Sequence, residues 1–93
     1  MKTKDAYNII LKTLSDCSDC EIVDYLYNSD VFGNFIIGFI KDNKPKSFVC
    51  DRGQIYLCND LKGNLGCCMI VPSISEVCQE NLVMSLESNL MPR

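Results

Sequence analysis

Cysteine is the side chain this sequence uses most unusually. Seven are present, Cys17, Cys20, Cys50, Cys58, Cys67, Cys68 and Cys78, and histidine is absent. Cys17-Ser18-Asp19-Cys20 has the spacing of half a zinc site, because two thiolates so placed can reach one tetrahedral ion. A second such half is missing. Cys67 and Cys68 are adjacent, and neighbouring side chains on a strand point to opposite faces, so one ion does not take both. Without imidazole, Cys50, Cys58 or one of that pair would have to complete four thiolates. No metal and no cofactor are expected, and a small cysteine-ligated zinc protein stands as an alternative. A thioredoxin-like use of Cys17 and Cys20 needs a strand before the motif and a helix starting at it; here a helical segment precedes it. An odd count without a recognisable export signal argues against a disulfide framework. Reduced cysteines packed as small apolar side chains are expected instead.

The rest of the catalytic repertoire is thin. Lacking histidine, the chain has neither a Ser-His-Asp nor a Cys-His arrangement, and the commonest general base near neutral pH is missing. No P-loop, G-x-G-x-x-G or H-E-x-x-H motif occurs. In Cys50-Asp51-Arg52 the arginine that would favour a thiolate is opposed by the nearer Asp51, so the trio reads as a strand end with a charged turn. Carboxylates acting as an acid–base pair would need an enclosing pocket, and a chain of 93 residues has room for one core and little for a deep cleft. The expectation is a single domain, residues 1–93, with no catalytic residue and no enzymatic activity.

Charge points elsewhere. The formal net charge is −3, and Asp16, Asp19, Glu21, Asp24 and Asp30 lie close together in sequence with Tyr25 and Tyr27 among them. Such a segment repels phosphate and steers a basic protein toward itself, and tyrosines are favoured as interface anchors. These seven residues form the expected partner-binding set. Tyr25, Tyr27, Phe35, Phe39, Phe48 and Tyr56 could stack on bases. The cations that should surround them are few, Lys41, Lys44, Lys46, Arg52 and Lys62, and a sheet core accounts for the aromatics equally well. Nucleic acid is not an expected partner. Nor is a membrane: the longest dense apolar run, Phe35 to Ile40, is far shorter than the roughly 20 residues a span requires. The start, Met1-Lys2-Thr3-Lys4-Asp5, lacks the apolar stretch of a signal peptide, so a cytoplasmic location is expected.

The elements that must position these residues follow from periodicity. Tyr7, Ile10, Leu11 and Leu14 share one face of a helix over 4–14 that Thr3 could cap. Residues 15–20 form a polar connector. Residues 21–28 are ambiguous. Ser18 to Glu21 fits a capping box before Ile22, Val23 and Leu26, whereas Val23, Tyr25 and Tyr27 alternate as on a strand. That alternation fails on the other face, where Asp24 lies between Ile22 and Leu26, and the spacing leans to helix. Asn28-Ser29-Asp30 reads as a turn, with a second at Gly33-Asn34. Strands are expected over 35–41, 47–51, 54–58 and 66–71, joined by turns at 42–45, 52–53 and 59–64. The first is apolar on both faces and needs cover on both sides, from the two terminal helices or from another chain. Its Gly38 suggests a bulge or a close backbone approach. After Pro72, a second capping box at Ser73 to Glu76 opens a helix striped by Ile74, Val77, Cys78, Leu82 and Leu86, expected through Ser88 with 89–93 frayed.

The fold class is therefore α+β, an antiparallel three- to four-stranded meander flanked by N-terminal and C-terminal helices. The function expected is a non-catalytic protein-binding module: a small acidic inhibitor, or an immunity- or antitoxin-type protein, that masks a basic partner such as a toxin or nuclease. The abundance of Asn, Ile, Lys and Asp suggests a bacterial or phage source. The alternative is a structural or assembly subunit acting through a sheet-mediated homodimer.

Overall fold

The computed structural model describes residues 1–30 and 33–91. Its elements run α1 (Thr3–Ser15), β1 (Cys20–Asn28), β2 (Asn34–Lys41), β3 (Lys44–Asp51), β4 (Gln54–Cys58), β5 (Cys68–Val71), a 3-10 turn (Ile74–Glu76) and α2 (Gln79–Leu90). The strands form one antiparallel sheet in sequence order, β1-β2-β3-β4-β5. The α+β class and the meander are as read from the sequence, with five strands in place of three or four.

The added strand is β1, where helical spacing was favoured. Its register with β2 slips between Ile22 and Asp24, so Val23 is an extra residue. That bulge lets Ile22, Tyr25 and Tyr27 pair with Phe39, Ile37 and Phe35, while Asp24 and Leu26 pair with Gly38 and Ile36. A bulge changes the side-chain parity along its strand, and this is why a strict two-residue alternation breaks at Asp24. The Ser18–Glu21 segment caps no helix; it is a tight connection in which the Cys20 N–H donates to the Cys17 carbonyl at 3.2 Å.

Two hairpins set the centre of the sheet. Lys41 pairs with Lys44 across Asp42-Asn43, both at positive φ (53° and 65°), the backbone of a two-residue turn matched to strand twist. Asp51 pairs with Gln54 across Arg52-Gly53, again both at positive φ. Asn34 steadies that second turn, accepting from the Arg52 N–H at 3.1 Å and donating to Asp51 Oδ1 at 3.1 Å.

The core lies on one face of the sheet. Phe35, Ile37 and Phe39 of β2, Phe48 and Cys50 of β3, Ile55 of β4 and Val71 of β5 are buried with Ala6, Tyr7, Ile10 and Leu14 of α1 and Leu82, Leu86 and Leu90 of α2. Both helices thus contribute to the same core. The other face of β2 is covered by the segment between β4 and β5. A side chain at Gly38 would meet the Leu61 carbonyl oxygen at 3.1 Å, and one at Gly63 would meet Val49 Cγ2 at 2.6 Å. Gly38 therefore marks a close backbone approach, and the two-sided apolar character of β2 is met within the chain.

That covering segment is organised by its own polar groups. Asp60 Oδ1 accepts from the Asn64 and Leu65 N–H groups at 2.8 and 3.0 Å, and the Asn59 N–H donates to the Leu65 carbonyl at 2.8 Å. Its ends are joined by a disulfide between Cys58 and Cys67, which corrects the expectation that every cysteine stays reduced. The buried apolar role holds for Cys50, whereas Cys68 and Cys78 are exposed.

The helix ends also differ from the sequence reading. Lys2 occupies the N-cap of α1, and Thr3 is its first residue. Residues Ile74 to Glu76 form only a 3-10 turn, because Val77 is extended (φ −109°, ψ 139°) and α2 starts afterwards behind Cys78. The turn is pulled to the sheet instead: the Ile74 N–H donates to the Gly53 carbonyl at 2.8 Å, and the Met1 ammonium donates to the Ile74 carbonyl at 2.9 Å. At its far end α2 continues to Leu90, whose side chain is buried; Pro92 and Arg93 lie outside the described residues.

Candidate functional site

β1 is an edge strand with a partner on one side only. Nine residues long, it presents a row of backbone donors and acceptors that no other strand among the described residues satisfies. Val23, Tyr25 and Leu26 along it are 43, 63 and 65% exposed, large apolar surface for one strand. Glu21 and Asp24 are exposed on the side of Ile40 and Gly38. The opposite edge, β5, has four residues and offers far less template. An edge of this kind is where another chain can add a strand.

The expected partner-binding residues divide on this frame. Glu21, Asp24 and Tyr25 share the exposed part of β1. Asp16 and Asp19 precede it on the connector from α1, and Asp30 follows it beyond the far end. Nine strand residues at about 3.3 Å each separate Asp19 from Asp30 by roughly 30 Å, so the acids form a line along an edge and not one compact patch. Asp24 lies 3.5 Å from the Lys62 ammonium and Asp16 lies 3.4 Å from that of Lys12, both exposed pairs of small energetic weight. Tyr27 is a packing residue. It stacks on Phe35 (centroids 6.4 Å apart, 19° between planes), leans on Tyr7 at 5.2 Å, and carries the Lys4 ammonium 4.4 Å over its ring.

Asp19 stands apart from the other acids. Its Oδ1 accepts from the Cys17 thiol at 2.9 Å and its Oδ2 from the Lys41 ammonium at 2.9 Å. The Cys17 hydrogen bond, and then that of Lys41, lowers its carboxyl from the usual 3.8 to about 2. Lys41, only 6% exposed, also reaches Asp42 at 3.2 Å, and these two carboxylates raise it above the ordinary lysine value. Cys20 donates its S–H to Cys17 Sγ at 2.7 Å. Burial first, then the hydrogen bond and charge of Cys17, push the Cys20 thiol up to about 12. Cys17, Asp19 and Cys20 bring their ligand atoms within 4.8 Å of one another.

Cys17, Asp19 and Lys41 line a groove of about 570 Å³ between α1 and α2, whose walls also include Ile9, Thr13, Val83 and Leu90. Sequence spacing identified the two cysteines. It did not identify Lys41, which alternation on β2 brings to the core face beside Phe39, within reach of the α1–β1 connector. Of the few cations named from the sequence, Lys41 is buried and paired with Asp19, and Lys46 donates to Asn59 at 3.3 Å. Among the described residues no helix is long and apolar enough to cross a membrane. Comparison with known proteins supplies no relative, as no family model, curated protein or solved structure matches the chain.

Proposed function

We propose that this protein is a non-catalytic binding module, of the inhibitor, immunity or antitoxin type, that takes an extended basic segment of a partner protein as an added strand along β1. The observation that carries the reading is the nine-residue edge strand with Val23, Tyr25 and Leu26 exposed between carboxylates. Main-chain hydrogen bonds to the edge would supply affinity that is blind to sequence. The exposed side chains would supply anchors, and Glu21 and Asp24 would select lysine- or arginine-bearing strands over neutral ones.

Charge also bears on the homodimer alternative. Two copies pairing antiparallel through β1 about a two-fold axis near its centre would set Asp24 against Asp24, and like charges directly opposite destabilise strand pairs. A basic partner meets no such penalty. The surface therefore favours a different chain over a second copy of this one.

The test is capture of partners by the immobilised full chain from lysate of its native host, followed by titration of the captured protein with the wild-type chain and with Glu21→Lys/Asp24→Lys. The proposal expects a basic partner whose affinity falls at least tenfold in the double variant and weakens with added salt. Cross-links confined to other elements, or equal affinity for both chains, would refute it. Circular dichroism of the variant checks that the sheet is intact.

A further inference from the structure

We propose that Cys17 and Cys20 are a redox-active dithiol that closes to a disulfide by exchange with a low-molecular-weight disulfide reaching Cys17 through the groove between α1 and α2. The connector is already shaped for that bond. The Cys17 N–H donates to the Leu14 carbonyl at 3.1 Å and the Cys20 N–H to the Cys17 carbonyl at 3.2 Å. A hydrogen-bonded four-residue turn keeps its outer Cα atoms within about 7 Å, the span a disulfide bridges, about 4.4–6.8 Å. The two sulfurs stand 2.7 Å apart, and a disulfide requires about 2.05 Å.

The competing use of the same atoms is a metal site with Asp19 as third ligand. Two sulfurs each about 2.3 Å from one tetrahedral zinc lie about 3.8 Å from each other, wider than the 2.7 Å between these two. The neighbouring charge points the same way. The Lys41 ammonium, nearly buried, holds Asp19 at 2.9 Å, and a divalent ion drawn to Asp19 would be set beside that cation. Disulfide formation leaves the Asp19–Lys41 pair untouched.

The exchange balances as follows. The Cys17 thiolate attacks one sulfur of the small disulfide, forming a mixed disulfide at Cys17 and expelling one thiolate. Cys20, on losing its proton, attacks Cys17 Sγ, forming the Cys17–Cys20 bond and expelling the second thiolate. The two protons given up by the cysteines end on the two released thiols. The protein sulfurs are oxidised and the small disulfide is reduced. Cys17 leads because it lines the groove, while burial holds the proton on Cys20. Two of the causes that hold it, the hydrogen bond and the charge of Cys17, vanish once Cys17 is in the mixed disulfide, so the first step prepares the second.

The experiment is equilibration of the purified full chain in glutathione buffers from fully reduced to fully oxidised, with acid quenching, alkylation and peptide mass spectrometry, and a parallel zinc assay. The expected result is a Cys17–Cys20 linked peptide that forms and reopens reversibly. In Cys20→Ser a glutathione adduct accumulates at Cys17, and Cys17→Ser leaves Cys20 without an adduct. Cys17 and Cys20 recovered as free thiols across the whole range in which Cys58–Cys67 closes would overturn the proposal. So would stoichiometric zinc that shields both thiols until a chelator is added, or an adduct that forms first on Cys20. The wild-type measurement decides the matter even if a serine variant folds poorly.

Discussion

Two glycines with nearly the same backbone and different surroundings test whether the segment between β4 and β5 covers the sheet. Gly53 and Gly63 have φ of +78° and +75°, a conformation that costs a residue with a Cβ about 1–2 kcal/mol. A Cβ at Gly53 would find its nearest neighbour, Ile74 Cγ1, at 3.8 Å, ordinary contact, whereas one at Gly63 would stand 2.6 Å from Val49 Cγ2. Gly53→Ala should therefore cost about 1–2 kcal/mol, the backbone cost alone. Gly63→Ala should add overpacking of about 1–3 kcal/mol. Each kilocalorie is about 4–8 °C of Tm in a domain this size. Placing Gly63→Ala in a Val49→Ala background removes the obstructing methyl, so the alanine should there cost only the backbone share. Urea unfolding followed by circular dichroism of the four chains completes the cycle. Equal losses at the two glycines, or no relief from Val49→Ala, would mean that Gly63 does not lie on Val49 and that this face of the sheet is open.

Three further outcomes follow from the same structure. Cys67→Ser opens a loop with nine residues of sequence separation, for which chain entropy alone gives a loss of about 2–3 kcal/mol in denaturant unfolding; a loss no larger than that of Cys68→Ser would contradict it. Asp19 ionises more readily in the folded protein, at about 2 against 3.8, so its contribution is complete above about pH 4 and is lost as pH falls toward 2. Urea midpoints measured down this range should therefore drop more steeply for the wild-type chain than for Asp19→Asn, and parallel curves would exclude the ion pair as a source of stability. Ser47 Oγ is buried with no hydrogen-bond partner among the described residues, and such a hydroxyl stabilises nothing; Ser47→Ala should leave Tm unchanged or higher, and a loss of several degrees would mean that the hydroxyl has a partner, such as a bound water.

How far the sequence carries depends on whether a signal is local. Tyr7, Ile10 and Leu14 mark the buried face of α1, Arg52-Gly53 marks a tight turn, and the turn read over 42–45 is there but closes within Asp42-Asn43, with β3 already begun at Lys44, because periodicity and turn chemistry act within a few residues. The failures arise where distant parts of the chain decide. Val23 is an extra residue in β1 only by reference to β2, and without that partner the spacing of Ile22, Val23 and Leu26 imitates a helix. Ile74 to Glu76 carries a helix-opening pattern, yet hydrogen bonds to Gly53 and Met1 hold it at the sheet. Cys58 and Cys67 flank a stretch that reads as a simple turn with a strand after it, and their bond becomes visible only once Leu61 and Gly63 fold back over β2 and β3. For the candidate site the acids were legible and their partners were not: nothing local in Lys41 says that it will lie buried against Asp19.

The acids of β1 also admit a duller role, since proteins commonly place charge on an edge strand to keep it from pairing at all. The two roles differ in what they require of the remaining side chains. A strand guarded only against association needs its exposed positions polar, and nothing is gained by leaving Val23, Tyr25 and Leu26 43, 63 and 65% exposed beside the carboxylates. A strand that must refuse its own copy and accept a basic one needs both features, the charges to discriminate and the apolar positions to hold. Glu21→Gln/Asp24→Gln separates the cases. Removing the charge from a guard releases self-association, which sedimentation velocity would show as concentration-dependent dimers or larger species, with partner binding unaffected because none depends on this edge. Removing it from a recognition strand weakens the basic partner by at least tenfold and flattens its salt dependence. Dimers without that loss would leave β1 as a protected edge and move the binding surface elsewhere.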